Sequence, residues 1–160
     1  MNENIFMRLQ HQKHCGLPYA EDEKIQLYVK RIHLKILELG NTDSVIFDIV
    51  EKSSGKTAGE IALRIGEDAS LYYLGHIGYH VDAPYRGNHF ARRACHLAKK
   101  LFVEMDVTSV VLTTDVDNYP SIRTCEALGC ILESTVNVPV WYIREFEISS
   151  RKRRYILFIA

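Results

Sequence analysis

The sequence has no excess charge of either sign: twenty lysine and arginine residues balance twenty aspartate and glutamate residues over 160 positions. Without a net field, nothing holds a polyphosphate backbone or an anionic membrane through bulk electrostatics, so neither nucleic acid nor membrane is expected as a partner. The four cysteines, Cys15, Cys95, Cys125 and Cys130, lack any CxxC spacing, and Asn2 and Glu3 stand where a secretory leader would be basic. These absences exclude a disulfide framework and predict reduced thiols in a cytoplasmic protein. No apolar run approaches the roughly 20 residues of a membrane-spanning helix, and there is no internal repeat or low-complexity tract. What is present, 47% apolar and 25% charged residues in one domain's length, predicts a single globular domain over 1–160 with one core.

The seven histidines do not converge on a metal site. His76 and His80, on one strand face, would stand about 13 Å apart. His89 and His96, two helical turns apart, are separated by about 10 Å, and Cys95 leaves the helix at another angle. No metal is expected. The basic block Arg151-Lys152-Arg153-Arg154 reads as a solvated strand entry rather than an anion site.

Along the chain, Met1 to about Glu23 shows no sustained period and reads as a strand-like start followed by a loop. Lys24 to Leu39 is rich in β-branched residues, including Ile25, Val29, Ile32 and Ile36, while its lysine and leucine content, with Leu37 and Leu39, also permits helix. Ser44–Val50 and Thr57–Ile65, joined by the polar turn Ser53-Ser54-Gly55-Lys56, form a hairpin. Leu71–Val81 is a further strand, closed by Asp82-Ala83-Pro84. Phe90, Ala91, Ala94, Leu97, Ala98, Leu101 and Phe102 then recur at helical spacing, in a helix beginning at Gly87 or Asn88. Ser109–Thr114 is a strand, Ser121–Leu128 a helix stopped by Gly129, Cys130–Val138 a strand, and Tyr155–Ile159 closes the sheet. The predicted fold is mixed α/β (α+β): a central, largely antiparallel twisted sheet with one parallel strand–helix–strand crossover.

At that crossover a strand turns straight into a helix, so several backbone N–H groups at the helix start lack partners and face whatever lies beyond the strand end. Arg86-Gly87-Asn88-His89-Phe90-Ala91 occupies the junction; Gly87 lets the backbone approach a ligand closely and Ala91 does not obstruct it. A pyrophosphate fits such a site, although a glycine near a helix start is as often a simple cap.

This segment resembles the coenzyme motif of the GNAT (GCN5-related N-acetyltransferase) superfamily: Gln or Arg, two residues, Gly, one residue, then Gly or Ala. Arg86 and Ala91 match its ends. Gly78-Tyr79-His80-Val81-Asp82-Ala83-Pro84-Tyr85 looks like the strand and link leading into the motif. Asp117-Asn118-Tyr119-Pro120-Ser121 with Glu126-Ala127-Leu128-Gly129-Cys130 resembles the family's Asn-containing loop and short helix. The resemblance covers roughly the C-terminal half. It implies a GNAT-like sheet with acetyl-CoA as acetyl donor, bound by Tyr79, Val81, Arg86, Gly87, Asn88, His89, Phe90, Ala91, Asn118 and Ser121. It further implies direct attack of a substrate amine on the thioester, with backbone N–H groups of the splayed strand polarising the carbonyl.

Two positions depart from the pattern. His89 replaces the middle glycine of the motif, where its side chain either obstructs the phosphate path or donates to it. Cys125 stands where many members carry the tyrosine that protonates the departing thiolate. Base candidates are His76 and His80; acid candidates are Tyr119 and Cys125; each has a structural reading beside the catalytic one. A non-catalytic acyl-CoA binding or sensor domain is the alternative from another class. The acceptor, a protein N-terminus or a small-molecule amine, is expected against the N-terminal segment and the loop Val138–Glu147. Its Trp141, Tyr142 and Phe146 either line that pocket, belong to the core or form a dimer contact. Exposed edge strands of such a fold can pair in a homodimer.

Overall fold

The computed structural model describes residues 1–35 and 42–159. The chain opens with a helix, α1 (Glu3–Cys15), followed by β1 (Ala20–Glu21) and β2 (Ile25–His33). A helix at the N-terminus corrects the expected strand-like start. Asn2 caps it by accepting the Ile5 N–H at 2.9 Å, but only Ile5 and Leu9, one turn apart, are buried. Two anchors in thirteen residues are too few to show a period. For the run Lys24–Leu39 the structure selects strand over helix as far as His33; Ile36, Leu37 and Leu39 lie outside the described residues.

The expected hairpin is β3 (Asp43–Glu51) and β4 (Thr57–Ile65), paired antiparallel. Strand side chains alternate between faces, and Ile25, Leu27, Val29, Val45, Phe47, Ile49, Ile61 and Leu63 bury one face of the sheet. Truncating one of them, Leu63→Ala for example, costs about 2–5 kcal/mol. The expected strand Leu71–Val81 divides into a four-residue helix, α2 (Leu71–Leu74), and β5 (Ile77–Val81). Asp68 starts α2 by accepting the Ser70 N–H at 2.9 Å on its carboxylate and the Leu71 N–H at 3.0 Å on its carbonyl.

After β5 and a short turn at Ala83–Tyr85 comes α3 (Phe90–Glu104), then β6 (Ser109–Asp115), α4 (Tyr119–Ala127), β7 (Ile131–Asn137), α5 (Val140–Phe146) and β8 (Arg151–Phe158). Helix α3 begins at Phe90 rather than Gly87 or Asn88, because Gly87 (φ 84°) and His89 (φ 60°) are left-handed and cannot continue a right-handed helix. Segment 138–147, expected as a loop, holds α5. The last strand does not close the sheet at an edge: β8 lies between β6 and β7. Nor is its basic block wholly solvated. Arg154 is buried, its guanidinium 3.7 Å over the Tyr72 ring and 3.3 Å from Glu133.

The strands form a five-stranded sheet, β1-β2-β3-β4-β5, and a three-stranded sheet, β6-β8-β7, with every ladder antiparallel. Helix α3 crosses from one to the other, burying Phe90, Ala94, Cys95, Ala98, Leu101 and Phe102. The sheets touch where the His76 N–H donates to the Val111 carbonyl at 2.7 Å. Gly75 permits that approach, since a Cβ there would lie 2.9 Å from the Val111 oxygen. Beyond this stitch β5 pairs only with β4 and β6 only with β8 among the described residues. The two facing edges therefore diverge and leave a notch.

Candidate functional site

The notch and the start of α3 adjoin. Arg86 folds back so that its Nε donates to the Val81 carbonyl at 2.9 Å, and the Asn88 amide donates to the Tyr85 carbonyl at 3.0 Å. These two bonds hold the turn between β5 and α3. The left-handed geometry at His89, where the resembled motif has glycine, shows why glycine suits the position: a non-glycine residue there carries about 1–2 kcal/mol of strain. No side chain caps α3, so its first N–H groups and the positive end of its dipole stay available.

A cavity of about 740 Å³ lies against this helix start. Of the residues expected to bind coenzyme, Tyr79, Val81, Arg86, Gly87, His89, Phe90, Ala91, Asn118 and Ser121 line it, whereas Asn88 supports the turn from outside. Three arginines (86, 92 and 123) and two histidines (80 and 89) face it, and no carboxylate does. Arg92 and Arg123 were missed by the motif reading; their only sequence signal is placement one residue past the motif and inside the short helix. Asn118 caps α4 by accepting the Ser121 N–H at 3.4 Å. Burial pushes the Tyr79 hydroxyl up to about 12, against opposing hydrogen bonds with Ser121 and Thr124, so it stays protonated in the wall between β5 and α4.

A second cavity, about 200 Å³, fills the notch itself. Tyr79, Asn118 and Ser121 line both cavities, so the two adjoin. Cys125 and Thr114 also line the notch. Thr114 is 4% exposed, and its hydroxyl oxygen has no hydrogen-bond partner among the described residues. The Cys125 thiol is held protonated, first by its hydrogen bond with Cys130 and then by burial. From the far side, Arg64, Asp115 and Lys152 line the notch. Lys152 pairs with Asp115 at 2.7 Å. Burial works against the Asp115 carboxylate, but hydrogen bonds from Lys152 and Ser149 outweigh it and keep the group below the usual carboxylate range.

The remaining predicted residues are dispersed. His76 is not brought to the cleft: its Nδ1 accepts the Val111 N–H at 3.1 Å and its Nε2 faces the Gly66 carbonyl at 3.2 Å. Both ring nitrogens are occupied, with the proton on Nε2, so no lone pair is free to take a proton. Burial lowers its pKa and keeps the ring neutral. His80 lines the larger cavity with Nε2 3.2 Å from Asp82. Tyr119 is 60% exposed and lines neither cavity. Tyr142 stacks on Trp141 (3.8 Å between ring centroids) and Phe146 (5.5 Å) and meets Tyr73 at 5.0 Å. Tyr73 in turn accepts the Thr113 hydroxyl at the notch rim, at 3.0 Å. The aromatic residues of α5 thus reach the far side of the notch through α2.

Residues 2–131 match the family model described as Acetyltransferase (GNAT) domain. No curated protein matches the sequence. Among solved structures, the microcin C7 self-immunity acetyltransferase MccE, in complex with acetyl-CoA and AMP, shares 16% identity and a TM-score of 0.62 over 86% of this chain and 93% of that one. Ribosomal-protein-S5-alanine acetyltransferase from Vibrio fischeri shares 18% at TM-score 0.57, over 72% of this chain and 61% of that one. A GNAT-family acetyltransferase from Bacillus anthracis shares 19% at TM-score 0.57, over 71% and 66%. The chain thus spans less than two thirds of the length of the last two proteins, and at these identities the likeness is one of fold.

Proposed function

This chain belongs to the GNAT acetyltransferase domain family, and from that premise we propose that it moves an acetyl group from acetyl-CoA to a primary amine, on a protein N-terminus or a small molecule, by direct attack in a ternary complex. The observation that carries this reading is the large cavity at the uncapped start of α3, lined by three arginines and two histidines without a carboxylate in a chain of zero net charge. Such a lining suits a polyphosphate ligand and little else. The orphan hydroxyl of Thr114 in the adjoining notch fits a ligand whose arm brings hydrogen-bonding groups past it.

When bound, acetyl-CoA supplies a thioester carbonyl that an amine can attack. Arg86, Gly87 and the first N–H groups of α3 would hold its pyrophosphate, with Arg92 and Arg123 adding positive charge from both helices. The unpaired edge of β5 offers backbone N–H and carbonyl groups to an extended arm, in the manner of an added strand. His80, oriented by Asp82, takes the proton of the incoming amine at its imidazole or through a water. Cys125 lines the notch where the motif's tyrosine is absent, but its thiol keeps the proton that Cys130 and burial hold on it, so the departing thiolate takes its proton from water. Positioning and backbone polarisation carry the remainder.

Calorimetry with acetyl-CoA on the wild type and on Gly87→Glu tests the reading. Binding by the wild type that is lost at least tenfold in a still-folded variant supports it; a wild type that binds no acetyl-CoA sinks it. Gly87→Ala separates backbone strain from charge, since an alanine side chain meets nothing within 4 Å there. Binding without release of free CoA for any amine would leave the non-catalytic acyl-CoA sensor, the reading that the departures at His89 and Cys125 favour.

A further inference from the structure

Arg64 is the one cation of the notch that the protein leaves uncompensated. It sits in β4 and lines both the notch and a third cavity of about 320 Å³ behind it, whose carboxylates Glu67, Glu104 and Asp106 form no ion pair with it. Its Nη1 donates to the carbonyls of Gly75 at 3.1 Å and Leu74 at 3.4 Å. A Cβ built on Gly78 would come within 3.3 Å of Nη2, so the guanidinium lies directly over the β5 backbone at the notch. No carboxylate pairs with it among the described residues. Arg64 is half-buried, and the partial loss of solvent opposes its charge, so an anionic partner at its open side would stabilise it. Lys152 and Asp115, the other ions of the notch, neutralise each other, which leaves the notch with one net positive charge. The Nη1 bonds use one end of the guanidinium; the Nε–Nη2 edge, whose geometry matches a carboxylate, has no hydrogen-bond partner among the described residues.

We propose that this edge of Arg64 binds a carboxylate carried by the amine acceptor, so that the enzyme's substrate class is amines bearing a nearby carboxylate. The inference rests on the coenzyme reading above. There the phosphates belong to the arginine-lined cavity at α3, and the thioester that enters the notch is uncharged. On the notch side, where no carboxylate is left over for Arg64, an anion would then come with the acceptor. The Arg64 contacts to Leu74 and Gly75 also hold the corner between α2 and β5, so a merely structural residue would affect all acceptors alike.

The test uses pairs of amines that differ only in charge: amino acids against their α-amides, and peptides with N-terminal Glu against those with N-terminal Gln. Release of free CoA is followed for wild type, Arg64→Gln and Arg64→Lys, with acetyl-CoA affinity measured separately by calorimetry. The wild type is expected to favour the carboxylate member of at least one pair by tenfold or more in kcat/KM. Arg64→Gln should erase that preference with acetyl-CoA affinity unchanged, and Arg64→Lys should restore part of it. Equal use of both members by the wild type, or a preference that survives in Arg64→Gln, overturns the proposal; a loss shared by both members assigns Arg64 to the thioester carbonyl or to the α2–β5 corner and overturns it too. If no amine turns over, binding of the same pairs to the CoA-loaded protein is measured, and absent or equal binding has the same meaning. Failure of acetyl-CoA itself to bind appears in the separate titration and counts against the underlying reading alone.

Discussion

The two sides of the β5–β6 notch are built in opposite ways. On the α3 side, the strand end, the turn, the left-handed Gly87 and His89 and the helix start all lie within residues 77–91, and the lining is cationic without a carboxylate. On the far side, β4, α2 and β8 contribute one residue each (Arg64, Leu74 and Lys152) and β6 four, charges of both signs line the notch, and the aromatic rings of α5 stack behind α2. A polyphosphate can be held largely by the backbone geometry that one short segment carries, with Arg86 inside it and Arg92 and Arg123 adding charge from just beyond it and from α4. An acceptor must be recognised by side chains gathered from distant parts of the chain.

This contrast can be broken by removing charge from one side only. The double variant Arg92→Ala/Arg123→Ala should weaken acetyl-CoA binding about tenfold, on the order of 1.4 kcal/mol, and flatten its salt dependence, with acceptor KM unchanged; calorimetry at two salt concentrations reads it. The mirror change is Trp141→Ala on the far side, where the ring is 59% exposed and stacked on Tyr142. It should raise acceptor KM about fivefold, near 1 kcal/mol, and leave acetyl-CoA affinity alone. Equal effects on both ligands would dissolve the distinction between the two sides.

His89→Gly sharpens the comparison by testing the junction's backbone. Relief of about 1–2 kcal/mol of left-handed strain is offset by about 0.5–1 kcal/mol from glycine's freer unfolded chain, so thermal unfolding should shift upward by a few degrees at most. His89→Ala, with the strain retained, should show no such gain. The smallest expected effect concerns the stitch between the sheets. The folded pKa of His76 is depressed by burial, so the folded state binds fewer protons there than the unfolded chain. Its stabilising contribution is present above the unfolded value of about 6.5 and is lost as pH falls through the folded value. Urea unfolding from pH 8 downward should show a loss that His76→Gln lacks.

Legibility followed the range of the interactions. The hairpin β3–β4 and the helix α3 were readable because their buried positions repeat at periods 2 and 3.6 within one segment. Helix α1 was not, since Ile5 and Leu9 are its only anchors, and neither were α2 and α5, at four and seven residues too short to show a period. The positions expected to bind coenzyme were nearly all brought to one cavity, while His76 was diverted into backbone hydrogen bonds by Val111 and Gly66, which no local pattern announces.

By itself the sequence determined the strand–turn–helix junction and its resemblance to an acetyltransferase motif, because φ preferences, an uncapped helix start and a small residue at Ala91 are local properties of fifteen residues. Only the tertiary structure decided that β8 enters between β6 and β7, that Arg154 is buried against Tyr72, and that Arg64 is left without a counter-ion over Gly78. Those facts depend on which distant groups meet in the folded chain, and the charge of a side chain says nothing about its partner until the strands have chosen their neighbours.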